Sequence, residues 1–440
     1  MTSPQVRPSA QVETGVGPDL DMPGFGTTPP GGGPGQGERV TFGARVKALF
    51  VSLLIPALAV FTGLLVGGLI VIFSDAEVLG MIRTDPVAAI LLGTKRAVDA
   101  YAALFAGSLG DPGKMIAALF SGDQAQIIKA FRPISESLLS ATPLIFVGLA
   151  VALGFRSGLF NIGGEGQLFL GAIFAVFAAV TFEGLPMVIH LPLSILFGFL
   201  GGALWGMIPG VLKARMGAHE VIVTIMLNYV AYLLLSILLK NPLFQREGST
   251  NPISKIVPDS AAMPQIIEGL RVTWWFPLAL LTAVAVSWLL FKSTKGFEFR
   301  AVGLNPGAAK YAGISVALTT VLTMTISGGL AGLAGASVML VPRGTLSPGF
   351  SPGYGFDGIA IALLGRSRPS GVVAAALLFG VLRAGATTMQ ASTQIPIDLV
   401  VVVQSFVIMF IAAPALVRGI YRIRTTKVTG TEVFMKGWGA

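Results

Sequence analysis

From Val221 to Leu239 the chain runs for 19 residues, VIVTIMLNYVAYLLLSILL, without a charged side chain. A helix needs about 20 such residues to cross a hydrocarbon core of about 30 Å. Similar runs recur along the sequence. Because lipid offers no hydrogen bonds, a spanning chain must satisfy its own backbone, as a helical bundle or as a closed barrel. A barrel strand shows about ten residues of alternating polarity, and these Leu-, Ala- and Gly-rich runs do not alternate. The sequence therefore predicts an all-α polytopic membrane protein. Its composition, 53% hydrophobic and 12% charged, agrees; a soluble domain carries about 25% charged residues.

The runs place spans at 46–73, 134–155, 168–182, 188–212, 221–239, 273–291, 316–341, 358–364, 371–386 and 399–417. Arg39, Arg45 and Lys47 precede the first and put the N-terminus in the cytoplasm by the positive-inside rule. With alternating direction, the basic loops holding Lys213 and Arg215, then Lys292, Lys295, Arg300 and Lys310, both fall on the cytoplasmic side. The 358–364 run is too short to cross alone, and it ends at GRSRPSG, whose Arg366 and Arg368 prefer the cytoplasm. It reads as a broken or tilted helix. Counting it gives about ten transmembrane helices, broken or re-entrant in places, with both termini cytoplasmic; counting it as re-entrant would misorient the last span.

Residues 1–37, rich in Gly and Pro (GFGTTPPGGGPGQG), predict a disordered cytoplasmic tail. They contain no apolar stretch after a basic start, so no cleaved signal peptide is expected. The membrane domain then spans 38–425 and a second cytoplasmic tail 426–440. Within the domain, 74–133 has helical periodicity with interspersed charge and reads as an extracytoplasmic helical segment on or near the membrane surface. Residues 292–315 form a cytoplasmic loop.

Enzymatic chemistry finds little support. The chain has no cysteine and only two histidines, His190 and His219, so thiolate catalysis is excluded and no metal site is assigned. The net charge of +9 is explained by cytoplasmic loops rather than by nucleic acid. The nearest approach to a phosphate-binding loop, SLGDPGK, has Ser108 where the first glycine belongs and Met115 where Ser or Thr should stand. Transport is the default for such a chain.

Four stretches carry the candidate sites. In RSGLFNIGGEGQ, Pro143 upstream and glycines 158, 163, 164 and 166 argue against a continuous helix between Phe155 and Gln167. A carboxylate at membrane depth costs about 2.5–3.5 kcal/mol on insertion scales, so Glu165 is expected inside protein, hydrogen-bonded or paired with Arg156. A short cytoplasmic turn with a solvated Glu165 is the alternative, and charge does not decide between them. In NPGAAKYAGI, Asn305 can cap a short helix, Pro306 suits its first position and Gly313 can end it. That turn would present Tyr311, Ala308 and Ala309 to a partner, or be a plain connection. In SGGLAGLAGA, small residues at helical spacing permit close helix approach. In SPGFSPGYGFDGIA, Phe350, Tyr354 and Phe356 with Asp357 stand at the mouth of the short helix, where they could meet a ligand or sit as interfacial aromatics.

Taken together, PLIFVGLAVALGFRSGLFNIGGEGQLFLGA, AVGLNPGAAKYAGI and GYGFDGIAIALLGRSRPSG resemble, in order over roughly Pro143 to Gly371, the inner-membrane permease subunits of bacterial ABC importers of the branched-chain amino acid, ribose and nucleoside group. The FNIGGEGQ form, with the long stretch after the first span, is most similar to the nucleoside branch. The resemblance implies a multi-pass subunit of the cytoplasmic membrane that moves nucleosides by alternating access. It implies a second permease, a cytoplasmic ATPase that holds ATP and Mg, and an extracytoplasmic substrate-binding lipoprotein; no cofactor is expected on this chain. It carries ATPase coupling onto Asn305, Pro306, Ala308, Ala309, Tyr311 and Gly313, and the pathway lining onto the 160–167 loop. Phe160, Asn161, Glu165, Gln167, Asn228, Phe356 and Asp357 are the expected pathway residues, on polarity and depth. The alternatives are a simple-sugar or branched-chain amino acid permease of the same architecture, an ion-coupled carrier, which broken helices would also suit, and a non-transport scaffold.

Overall fold

The computed structural model describes residues 42–422. The expected tails at 1–37 and 426–440 lie outside the described residues. By internal contact the chain divides into Met1–Phe50 and Val51–Ala440, and the contacts of interest are those within the second unit. The described residues form helices α1 (Phe42–Ser74), α2 (Ala76–Met81), α3 (Pro86–Leu109), α4 (Pro112–Ser121), α5 (Gln124–Arg156), α6 (Gly164–Thr181), α7 (Met187–Met216), α8 (Glu220–Leu238), α9 (Trp275–Lys292), α10 (Thr294–Leu304), α11 (Pro306–Tyr311), α12 (Val316–Met339), α13 (Tyr354–Leu364), α14 (Pro369–Thr393), α15 (Asp398–Ala412) and α16 (Pro414–Ile420). Among them, eight are long and apolar enough to cross a membrane, and two shorter apolar helices cover 354–364 and 398–411. These ten helices fall, in the same order, on the ten apolar segments expected.

The segment after α1 is helical because aspartate repeatedly supplies the caps. Asp75, Asp85, Asp111 and Asp123 each accept from backbone N–H groups in the first turn of α2, α3, α4 and α5, and Pro86 and Pro112 take positions where no N–H is needed. The near-match to a phosphate loop is thus a helix junction: Gly110 ends α3 and Asp111 starts α4. Arg96 of α3 reaches back to Asp75 and Glu77. The buried stripe Ala89, Gly93, Ala97, Ala100, Leu104, Ser108, at spacings of three and four, packs α3 onto α1 and α14. Tyr101 donates to Leu64 O of α1.

Helices α5 and α6 are the core. The apolar windows of these two are 78% and 83% buried, against 22–56% for the other candidate spans. Every residue from Ala141 to Gly154 is buried, so α5 is the post around which α6, α9, α12, α13 and α14 gather. On one flank, α7 and α12 meet backbone to backbone. A Cβ added to Gly202 would lie 2.2 Å from Gly328 O, one on Gly206 2.4 Å from Met324 O, and one on Gly332 2.3 Å from Gly198 O. The register 198/332, 202/328, 206/324 is antiparallel with a four-residue step, which is the close approach that SGGLAGLAGA predicts. Its partner is an equally glycine-rich stripe on α7.

At one end, the 240–274 loop pairs with the segment after α12: Ser254 N donates to Leu346 O (2.8 Å), Val257 N to Gly344 O (2.9 Å) and Met263 N to Leu340 O (2.9 Å). His190, fully buried, fastens this cap to α7 through Ser260 Oγ at 2.8 Å. The opposite end collects basic residues. Arg156 Nε donates to Ser367 O (3.0 Å) and Nη2 to Arg366 O (3.2 Å), while Arg156 and Arg300 both stand 5.6 Å from the Phe291 ring centre. The two ends are thus chemically distinct, as the loop charges lead one to expect.

Candidate functional site

The helix breaks inside the stretch the glycines mark, over 157–163, but resumes at Gly164, so that Gly164, Gly166 and Gln167 belong to the first turn of α6. Beyond Arg156 the chain does not stay at the basic end. Leu159 N bonds Gly154 O at 2.9 Å; Asn161 reaches Ser327 Oγ, which itself donates to Ala150 O at 2.7 Å; and Gly164 lies against Val147. The loop therefore climbs back along α5 from Arg156 to Val147, about 13 Å of helix rise, so that α6 starts inside the span.

A polar network replaces the missing helical bonds. Asn161 Nδ2 donates to Gln167 Oε1 (2.9 Å) and Ser327 Oγ (2.9 Å), and Asn161 Oδ1 accepts from Gly163 N (3.0 Å) and Gln167 Nε2 (3.1 Å). Asn228 of α8 clamps the same turn: its Oδ1 accepts from Gly166 N (2.8 Å) and its Nδ2 donates to Ile162 O (3.0 Å). Asn161 and Gln167 are 1% exposed, and Glu165 and Asn228 6% and 8%. A solvated turn is excluded. Phe160, half-buried, stacks on Phe155 at 5.2 Å.

Glu165 is buried and hydrogen-bonded, as expected, though not to Arg156, which is engaged at the basic end. The carboxylate accepts instead from Gly355 N at 2.6 Å, 190 residues on, at the first turn of α13. Only glycine fits there, because a Cβ on Gly355 would lie 2.1 Å from Glu165 N. Helix α13, 11 residues long, spans about 16 Å from its start to the Gly365–Arg368 turn, half of a hydrocarbon core of about 30 Å. Two helix N-termini thus meet inside the span, and a carboxylate from one satisfies the other, as the helix dipole favours.

The open side of this junction belongs to α13 and α14. Phe356 is 52% exposed. Asp357 Oδ2 stands 3.1 Å from Arg383 Nη2 of α14; Arg383 also donates to Pro352 O at 3.2 Å and lies 4.7 Å above the Tyr354 ring. Phe350 packs on Phe169 at 5.3 Å. Sequence reasoning missed Arg383 and the role of Ser327 as a partner of Asn161, while Tyr354, expected among the aromatics at the mouth of the short helix, lies under the Arg383 guanidinium. The available signal for Arg383 was a lone arginine inside the apolar run 371–386.

At the basic end, α10 and α11 form where the sequence predicts one short helix in a loop. Asn305 ends α10 and caps α11, accepting from Ala308 N at 3.0 Å. Gly313, with φ of 82°, ends the turn. Asn305, Pro306, Ala308 and Gly313 are exposed, and Tyr311 is 96% exposed. Ala309 differs from expectation: at 3% exposed it faces inward, because a helix of this length lying on the protein must turn one side to it, and alanine permits close approach.

Known proteins share the sequence that builds this junction. The family model described as branched-chain amino acid transport system / permease component matches residues 134–412. The guanosine ABC transporter permease protein NupP of Bacillus subtilis (strain 168) is 39% identical over 371 residues, 83% of this chain and 94% of that relative. The nucleoside ABC transporter permease protein NupB of Lactococcus lactis subsp. cremoris (strain MG1363) is 38% identical over 64% of this chain and 79% of its own. The glucose ABC transporter permease protein TsgB13 of Haloferax volcanii is 36% identical over 63% and 75%. No solved structure matches the chain.

Proposed function

The chain belongs to the branched-chain amino acid transport system / permease component family, and from that premise we propose that it is the membrane-spanning subunit of an ATP-driven nucleoside importer of the cytoplasmic membrane. The observation that carries the proposal is the meeting of α6 and α13 inside the span, where irregular backbone is stable only against protein or an aqueous passage. The relatives named for guanosine and nucleoside transport support the cargo.

Chemistry is not the task of this chain. ATP and Mg act on a cytoplasmic ATPase, a second permease completes the passage, and an external binding lipoprotein delivers cargo. Exposed Tyr311, Ala308, Asn305 and Pro306 form the face on which the ATPase docks, while Ala309 transmits the push inward. ATP binding then biases the permease pair between outward- and inward-open arrangements. Asn161, Glu165, Gln167 and Asn228 shape the pathway wall from behind, holding the broken helix through their buried hydrogen bonds, and Phe160, Phe356 and Asp357 line it.

A glucose permease among the relatives favours one second reading, a simple-sugar importer. Uptake of labelled guanosine by cells expressing the chain with its partner subunits separates the two. Excess adenosine should suppress uptake while glucose, ribose and leucine do not, and ATP depletion should abolish it while an ionophore leaves it. Suppression by glucose would transfer the cargo to sugar; survival under ATP depletion would indicate an ion-coupled carrier.

A further inference from the structure

We infer that Asp357 and Arg383 form the polar recognition pair for the cargo, with Tyr354 holding the guanidinium in place; this deepens the importer reading and rests on it.

The pair lies deep. Asp357 is in the first turn of α13 and Arg383 well inside α14, roughly 12 and 21 Å of helix rise from the turn joining the two. Neither side chain is sealed: they are 23% and 21% exposed, and the neighbouring Phe356 is 52% exposed. Charges at this depth do not face lipid; they face protein or water. The exposed side of α13 is therefore a passage or subunit-facing side, which composition alone could not assign, since Phe356 by itself suits lipid equally well.

The pair is also incomplete. Asp357 Oδ2 is ion-paired with Arg383 Nη2 at 3.1 Å but accepts no hydrogen bond, and Arg383 Nη1 donates none, among the described residues, although both atoms are buried. Asn161, Gln167 and Asn228 behave oppositely and spend their amides on the protein. An acceptor and a donor left side by side, next to an exposed aromatic ring, match a ribonucleoside in kind. A ribose hydroxyl donates to Asp357, Arg383 donates to an oxygen or ring nitrogen of the cargo, and Phe356 offers a stacking face. Tyr354 under the guanidinium and Pro352 O beside it fix the direction of Arg383, so that its second nitrogen is held in place, to be met by cargo when the passage opens.

The rival is a pair that only locks α13 to α14. The complete transporter, this chain with its own partner subunits, distinguishes them by KM for guanosine and by competition with 2′,3′-dideoxyguanosine. Asp357→Asn should raise the KM for guanosine about tenfold and narrow the preference for guanosine over the dideoxy analogue. Arg383→Lys, which keeps the charge and loses the fork, should also raise KM. The reciprocal exchange Asp357→Arg with Arg383→Asp should leave uptake low. The inference is overturned if the single variants change only the amount of transporter in the membrane, with KM and preference unaltered, or if the exchange restores uptake. Wild-type transporter that carries no nucleoside would overturn this inference and the importer reading together.

Discussion

Asn161 uses both its amide hydrogens and its carbonyl oxygen on the protein, so its value lies in holding a turn that no helix can hold. Truncating it strands Gly163 N and both ends of the Gln167 amide in a buried site, where an unsatisfied group costs about 1–3 kcal/mol. Asn161→Ala should therefore lower the unfolding midpoint of the detergent-solubilised protein by at least about 2 kcal/mol equivalent, more than removal of an exposed amide such as Gln390→Ala. A midpoint equal to wild type would remove the network from the account. Glycine acts at the same scale by absence. At Gly202 a side chain would meet Gly328 O and the Gly332 backbone, atoms that cannot move without separating two helices. Gly202→Val is expected to destabilise by about 1–3 kcal/mol or more, read as a lower thermal midpoint, whereas Gly184→Ala is not a matched control because its φ of 95° brings its own strain. Gly80→Ala, in open space, is the proper comparison.

Among elements, α11 shows how burial sharpens an experiment. The spacing alone offers Ala309 as a docking residue, yet Ala309→Arg would drive a charge into the protein and damage the fold. Tyr311→Ala touches only the exposed face. It should leave the amount and thermal stability of the protein in the membrane unchanged while reducing ATP-dependent uptake severalfold; normal uptake would take the docking role away from α11. The junction of α1, α2 and α3 depends on acidity. Partial burial works to raise the Asp75 carboxyl, but the Val78 amide and Arg96 outweigh it and hold it below the usual carboxylate range. A depressed folded value means the stabilisation is present above the ordinary aspartate range and is lost as pH falls through the lower folded value. Acidification below about pH 4 should therefore loosen this junction, seen as faster hydrogen exchange in α2, and Asp75→Asn should flatten that dependence. An unchanged profile in the variant would place the sensitivity elsewhere.

For the whole molecule, the separation of a basic end from a cap built on the 240–274 loop makes a topological statement that can be checked directly. The natural chain contains no cysteine, so single introduced thiols report without background. Ala308→Cys should react with a membrane-impermeant maleimide only after the cells are opened, and Glu247→Cys in intact cells. The reverse pattern would invert the orientation, and with it the sense in which α11 faces the cytoplasm.

Much of this architecture was legible in linear order. The ten apolar segments, the break after Phe155, the Asn305–Gly313 turn and the small-residue stripe on α12 arise from local rules: hydrophobic length, helix-breaking glycine, capping and side-chain size are properties of neighbours in sequence. The identity of contacts was not legible, because Glu165 finds Gly355 and Asp357 finds Arg383 only after α13 folds back beside α14 and both settle on α5. Depth likewise escaped the sequence, since nothing local says that the 157–163 loop climbs along α5 instead of spreading at the surface. The chain determined which segments must leave water and where helices must stop; the tertiary packing decided which polar groups meet, because inside lipid a polar atom has no solvent to fall back on and takes the partner that the packing brings within reach.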